Sequence, residues 1–192
     1  MNRPVLFINA CVRKESRTKR LADKILSRLD KPAKEVRLHE MRFSVVDEAF
    51  LNMRDRLISK GDFGNPMFDI AREFAEAETI VIAAPYWDLS FPAALRQYFE
   101  QINAVGITFR YTEDGAPVGL CRAKRLIYVT TAGGCYAPDE FGFGYVKALA
   151  QNYYGIPDLR LIKAVGLDLN GEDVEAIMRS AEKSIEDMLL DL

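Results

Sequence analysis

Short, almost continuous apolar runs, VLFINA at 5–10, TIVIAA at 79–84 and RLIYVT at 125–130, restrict the fold of this chain more than any other feature. A strand with one face in water alternates apolar and polar residues. A run that is apolar at nearly every position suits a strand covered on both faces, as in the middle of a parallel sheet. Helical stripes fill the intervals: Leu21, Ala22, Ile25, Leu26 and Leu29; then Phe50, Met53 and Leu57 between Asp47 and Gly61; then Met67, Ile70, Ala71 and Phe74 behind an Asn65–Pro66 start. A further helix opens at Pro92 and runs to Asn103. A helix over about 145–154, a strand at 159–165 and a last helix from Asn170 or Gly171 complete the series, with Glu35–Leu38 as a charge-bearing strand nearer an edge.

Strands that alternate with helices, with linkages long enough for right-handed crossovers, predict an α/β three-layer sandwich around a five-stranded parallel sheet. All of residues 1–192 read as one domain. Ile107–Leu120 (ITFRYTEDGAPVGL) breaks the alternation, and its Asp114–Gly115 between two extended halves predicts a hairpin-like excursion. Ligands in such sheets bind at the carboxyl ends of the strands, where the strand order reverses.

Charge narrows the partners. Twenty-six basic against 28 acidic residues give a net charge of -2, which offers no long-range field to a nucleic acid. The apolar runs stop far short of the roughly 20 residues that cross a bilayer, so no membrane partner is expected. The start, MNRPVLFINA, has no secretory pattern before RKESRTKR. Cys11, Cys121 and Cys135 form no CxxC and cannot pair completely, which suits a reducing cytoplasm, and a single histidine, His39, argues against a metal site.

Three loops carry the chemistry. In Cys11–Thr18 (CVRKESRT), Ser16 and Thr18 supply hydroxyls at a helix start, with Arg13 and Arg17 as cations, which is how a terminal phosphate is held; simple helix capping is the alternative. The loop lacks GxGxxG and GxxxxGK[ST], so neither the dinucleotide fingerprint nor the P-loop is supported. Pro85–Pro92 (PYWDLSFP) packs aromatic and polar residues between two prolines and can present backbone groups to a flat heterocycle, although Trp87 and Phe91 also suit core anchors. Thr130–Tyr136 (TTAGGCY) places paired glycines after a strand, where backbone can approach a planar ring or simply turn. One loop with phosphate chemistry and two with ring chemistry fit flavin mononucleotide, FMN, better than a nucleoside triphosphate. Cys135 lacks a histidine partner to activate it as a nucleophile.

At these loops the chain resembles the flavodoxin-like FMN-dependent NAD(P)H oxidoreductases of the azoreductase and quinone reductase branch. The most specific stretch is VIAAPYWDLSFPAALRQYFEQINAVGITFRYTEDGAPVGL at 81–120, followed by TTAGG at 130–134. The resemblance implies the sheet order 2-1-3-4-5. It implies phosphate contacts at Asn9, Ser16 and Thr18; the NAC start of the loop departs from the family's serine-rich version and shifts contacts toward Arg13, Arg17 or backbone. Ring contacts fall on Pro85, Tyr86, Trp87, Asp88 and Leu89, and on Thr131, Ala132, Gly133 and Gly134. The family usually has asparagine where this chain has Asp88; an amide donates and accepts, an ionised carboxylate only accepts, so Asp88 is a candidate for tuning the flavin.

The implied activity is ping-pong transfer of hydride from NADH or NADPH through FMN to quinones, azo compounds or similar flat electrophiles, so that no side chain need act as a catalytic acid or base. The branch is homodimeric with flavin near the interface, which makes Phe109, Tyr111, Tyr136, Phe141, Phe143 and Tyr154 candidates to line the substrate slot. A flavodoxin-type FMN electron carrier and a non-enzymatic interaction protein on the same fold are the alternatives.

Overall fold

The computed structural model describes residues 5–29 and 31–190; the first four residues, included in the reading of the amino-terminal start, lie outside them. Five strands form the sheet: β1 (Val5–Asn9), β2 (Ala33–Arg37), β3 (Thr79–Ala83), β6 (Arg125–Thr131) and β7 (Asp158–Ala164). Their order is β2-β1-β3-β6-β7 and every pairing is parallel, as the resemblance implied. The remaining strands, β4 (Phe109–Tyr111) and β5 (Pro117–Gly119), form an antiparallel hairpin around the Asp114–Gly115 turn.

The period of two along each strand separates two cores. Leu6 and Ile8 of β1, Ile80 and Ile82 of β3, and Leu126 and Tyr128 of β6 face α3 (Asp69–Glu76), α4 (Ala93–Ile102) and α5 (Phe143–Leu149). Val5, Phe7, Val81, Ile127 and Val129 face α1 (Arg17–Arg28) and α6 (Val174–Leu190). Fully burying one such aliphatic side chain contributes about 1.5–3 kcal/mol, so both faces of the sheet are tightly specified. The helix α2 (Glu48–Ser59) sends only Leu57 into the buried core, which matches its weaker apolar stripe.

Local signals place the helix starts. Ser16 accepts from the Lys19 N–H, Asp47 from Phe50 and Asn65 from Met67, so each caps the turn that follows. The edge strand read at Glu35–Leu38 starts two residues earlier, with Leu38 in the turn that follows, and two later boundaries differ further from the sequence reading. Residues 150–154 form a π-helical turn after α5 that ends at Gly155 with φ 72°, and α6 begins at Val174, with Asp173 accepting from the Ala176 N–H. Residues 165–173 are therefore a loop at the carboxyl end of β7, not the opening turn of the last helix.

The helix α4 runs back from the carboxyl end of the sheet, so the hairpin lies at the opposite end. The Lys124 N–H bonds to Glu78 O at 3.0 Å, which fixes the return of the chain beside the start of β3.

Candidate functional site

At the carboxyl ends of β1 and β6 the face toward α1 turns from apolar to polar. Val5 and Phe7 give way to Asn9, and Ile127 and Val129 to Thr131. Thr18, on the buried stripe of α1, meets Thr131 with their hydroxyl oxygens 2.6 Å apart. The hydrophobic layer ends here, and a cavity of about 490 Å³ opens above it, within the roughly 300–1,000 Å³ of small-molecule and cofactor sites.

The first loop forms one side of the cavity through Arg13, Ser16, Arg17 and Thr18. Ser16 caps Lys19 with its side chain and accepts from Arg20 with its carbonyl, leaving the N–H groups of Arg17 and Thr18 as the free donors of a helix start. Such donors favour an anion, as does the helix dipole. Asn9 lies beneath, outside the lining. Its amide donates to Glu35 at 2.8 Å and its carbonyl oxygen accepts from the Cys11 N–H at 2.9 Å, so it fixes the loop from below. Burial pushes the Glu35 carboxyl up, but the Asn9 amide and Arg37 outweigh it and hold the group below its usual range.

The second side comes from Pro85, Tyr86, Trp87 and Asp88. The β3 ladder continues into this loop, where the Tyr86 N–H bonds to Thr131 O at 2.9 Å. Trp87 and Ser90 exchange backbone hydrogen bonds of 2.8 Å in both directions, with Asp88 (φ 50°) and Leu89 (φ 64°) between them. Two consecutive left-handed residues make a type I′ turn, which Asn, Asp and Gly enter readily and a branched leucine does not. The Asp88 position thus carries a backbone demand as well as a charge. Leu89 points away from this cavity and lines its neighbour. Trp87 is partly exposed on the wall, whereas Phe91 is the anchor, packed on Phe99 and Tyr145 at centroid distances of 6.1 and 5.6 Å.

Thr131, Ala132 and Gly133 form the third side. The two glycines differ. A Cβ on Gly133 would stand 2.2 Å from Asp168 Oδ2, whereas one on Gly134 would meet no described atom within 4 Å. Gly133 leaves room for the Asp168 side chain where it stands. Gly134 has no such neighbour among the described residues, and it lies outside the lining.

The sequence reading missed Leu167 and Asp168, which close the cavity from the β7–α6 loop. Three backbone bonds tie that loop to the glycine segment: Leu167 N–H to Ala132 O, Asp168 N–H to Gly133 O and Gly166 N–H to Gly134 O. Arg17 joins them from the other side, donating to Leu167 O at 3.1 Å and to Asp168 at 2.7 Å. The available signal was positional: Asp168 follows a strand at its carboxyl end, where ligands gather. Reading the last helix as starting nearby concealed it.

The aromatic candidates separate. Tyr136 is 73% exposed and Phe141 is 51% exposed, both close to the cavity in the chain that follows Gly134. Phe143 packs on Tyr128 inside the molecule, and Tyr154 is fully buried with its hydroxyl donating to Asn103 at 2.7 Å. Tyr154 is a core residue and Phe143 packs against the core, so neither lines the cavity as the resemblance implied. Phe109 and Tyr111 belong to the hairpin at the far end of the sheet and do not reach the cavity of their own chain. Burial raises the Cys11 thiol and pushes that of Cys121 up to about 12, so neither is a ready nucleophile.

Hydroxyls and free N–H groups at one end, backbone loops at the other, and an intervening polar wall fit the phosphate, ring and ribityl chain of FMN. A family model described as a flavodoxin-like fold matches residues 3–189. An FMN-dependent NADH:quinone oxidoreductase of Clostridium acetobutylicum is 37% identical over 188 residues, 92% of each chain. One from Coprothermobacter proteolyticus is 35% identical over 196 residues, 96% of each. Among solved structures, an azoreductase from Bacillus anthracis superposes with a TM-score of 0.84 at 22% identity, over 99% of this chain and 100% of that one. An FMN-dependent NADH-azoreductase from Bacillus anthracis in complex with FMN gives 0.77 at 23% identity, over 97% of each. The structural likenesses speak for the fold and the sequence relatives for the lineage: the chain belongs to the flavodoxin-like family of FMN-dependent NADH:quinone oxidoreductases.

Proposed function

We propose that the protein is an FMN-dependent oxidoreductase that takes hydride from NADH or NADPH and delivers it to a quinone, azo compound or similarly flat acceptor, the two substrates using one site in turn. The observation that carries this reading is the convergence on one cavity of a capped helix start, the 85–88 loop and the 131–133 loop. Bound FMN would supply the two-electron chemistry that links nicotinamide to acceptor. The protein's part is orientation. Ser16, Thr18 and the first N–H groups of α1 hold the phosphate, with Arg13 adjacent, while the backbone of 85–88 and 131–133 frames the ring. Arg17 is engaged by Asp168, so its contribution is chiefly to hold the β7–α6 loop against the phosphate loop.

The whole chain acts as one domain in this reading, and the active unit is a two-fold homodimer. Exposed Trp87, Tyr136 and Phe141 near the cavity mouth supply the aromatic surface that interfaces favour, and Tyr111 reaches a cavity only if it is that of a partner copy. No helix among the described residues is long and apolar enough to cross a membrane. Free thiols at Cys11, Cys121 and Cys135 suit a cytoplasmic setting.

The purified protein is expected to be yellow, to release FMN on acid treatment, and to oxidise NADH in the presence of menadione. FAD in the extract, or no flavin after incubation with FMN, refutes the cofactor assignment; bound FMN without turnover favours an electron carrier. Light scattering is expected to report twice the chain mass.

A further inference from the structure

We propose that a groove beside the cofactor cavity is a subsite for the uncharged apolar portion of an elongated acceptor, a second aromatic ring or a hydrocarbon tail, held there while the reducible portion occupies the cavity. The inference rests on the oxidoreductase reading and deepens it. The groove has a volume of about 440 Å³ and is lined by Leu89, Ser90, Phe91, Arg96, Phe141 and Tyr145, with Glu140 at its margin. One turn separates the two spaces: Trp87 and Asp88 line the cavity, Leu89 and Ser90 the groove. A ligand that crosses that turn touches both.

The groove is formed in advance. Ser90 donates its hydroxyl to Phe141 O at 3.0 Å and Tyr86 donates to Pro138 O at 3.1 Å, so the 85–90 and 136–142 segments are joined at two points. Phe91 and Phe99 both rest on Tyr145, which also carries Arg96, the guanidinium carbon 4.8 Å from the ring centre. A preformed apolar site avoids the entropy cost of ordering its walls on binding.

Leu89 is the second observation. It is held at φ 64°, where glycine would sit free of strain, and its side chain is half exposed at the groove edge. Strained backbone persists where the surrounding structure enforces it and tends to gather at functional sites. The strain here places an apolar side chain on the wall shared by cavity and groove.

Charge sets the class of occupant. The Arg96 cation is committed to Glu100, with Nε 3.2 Å from Oε1, and to the face of Tyr145. Glu140 has no ion-pair partner among the described residues. The groove therefore presents aromatic surface whose cation is already paired and whose Glu140 carboxylate is not, which suits a neutral group over a sulfonate or carboxylate.

Steady-state kinetics with FMN-loaded enzyme test this on two acceptor pairs: menadione against the same nucleus carrying a hydrocarbon tail, and a neutral two-ring azo compound against its sulfonated counterpart. The ratio of kcat/KM for the tailed to the tail-free quinone is expected to exceed one and to fall about fivefold in Phe141→Ala, the ratio cancelling any general loss of turnover. Glu140→Gln is expected to raise the ratio of kcat/KM for the sulfonated to the neutral azo compound about threefold. An unaltered ratio in Phe141→Ala overturns the subsite, as does a preference for the sulfonated compound. A drop from dimer to monomer mass in that variant with the ratio unchanged assigns the groove to a second copy of the chain, and also overturns it. Quenching of Trp87, the only tryptophan, reads binding without turnover: the tailed quinone is expected to half-saturate at a lower concentration than menadione in the parent and to lose that advantage in Phe141→Ala. No advantage in the parent refutes the subsite, whereas tighter binding of the tailed quinone without any NADH oxidation refutes the oxidoreductase reading alone.

Discussion

The two ends of the parallel sheet use the same residue types for opposite purposes. At the hairpin end, Tyr154 is fully buried with its hydroxyl bonded to Asn103, Phe109 stacks edge-on against Tyr153 at 4.5 Å, and Thr108 bonds within its own turn to Ile102 O. At the cavity end, Tyr86 and Trp87 remain partly in solvent, and Thr18 and Thr131 bond to each other directly beneath the cavity. Glycine shows the contrast most sharply. Gly119 is pressed against backbone, a Cβ there standing 2.2 Å from Gly155 N, whereas Gly133 faces a side chain that is 68% exposed. One end is packed to hold the fold and the other is held open.

The largest expected effect is therefore at the hairpin. Gly119→Ala drives a methyl into backbone that cannot swing aside and is expected to cost about 3 kcal/mol, read as a lowered urea midpoint. Gly133→Ala displaces only the Asp168 side chain; its stability is expected to stay near that of the parent while FMN affinity, titrated by flavin fluorescence, falls about tenfold. Equal stability losses in the two variants would erase the distinction between the ends. Tyr154→Phe removes a buried hydrogen bond and is expected to cost about 1–2 kcal/mol in chemical denaturation, against about 0.5 kcal/mol for Tyr86→Phe, whose partner Pro138 O has access to water. Leu89→Gly is expected to stabilise the apoprotein by about 1 kcal/mol, seen as a higher Tm, by relieving the left-handed leucine.

The smallest effect concerns charge at the start of β7. Burial raises the Asp158 carboxyl, but Arg125 and Arg160, each 2.5 Å away, outweigh it and hold the group below its usual range. A depressed carboxyl stabilises the fold above its unfolded pKa and loses that contribution as pH falls through the folded value. Asp158→Asn is expected to cost about 0.5 kcal/mol at pH 7, a gap that closes below about pH 4 in denaturation at a series of pH values. A gap that widens in acid would reverse the assignment.

The central strands were readable because β1, β3 and β6 are buried on both faces and their sequences have few polar interruptions, whereas their order came from the family resemblance, since an apolar run does not name its neighbours. The three cavity loops were readable for a different reason: proline, paired glycine and hydroxyl residues immediately after a strand have few uses. Asp168 was not, because one carboxylate in a loop has no pattern until the chain folds and sets it against Gly133. Nor does sequence spacing separate Tyr154, in the core, from its half-buried neighbour Tyr153; helical phase across the π turn decides that, and the turn shifts it.

The outer strands carry one more consequence. β2 reads AKEVR and β7 reads DLRLIKA, so each border of the sheet bears charged side chains, Lys34, Glu35 and Arg37 on one and Asp158, Arg160 and Lys163 on the other. Open strand borders are templates on which a further strand can add, and charge there opposes the addition. The sheet is thereby protected against growing from one molecule into the next as a fibril would, and copies that associate must do so through helices and loops.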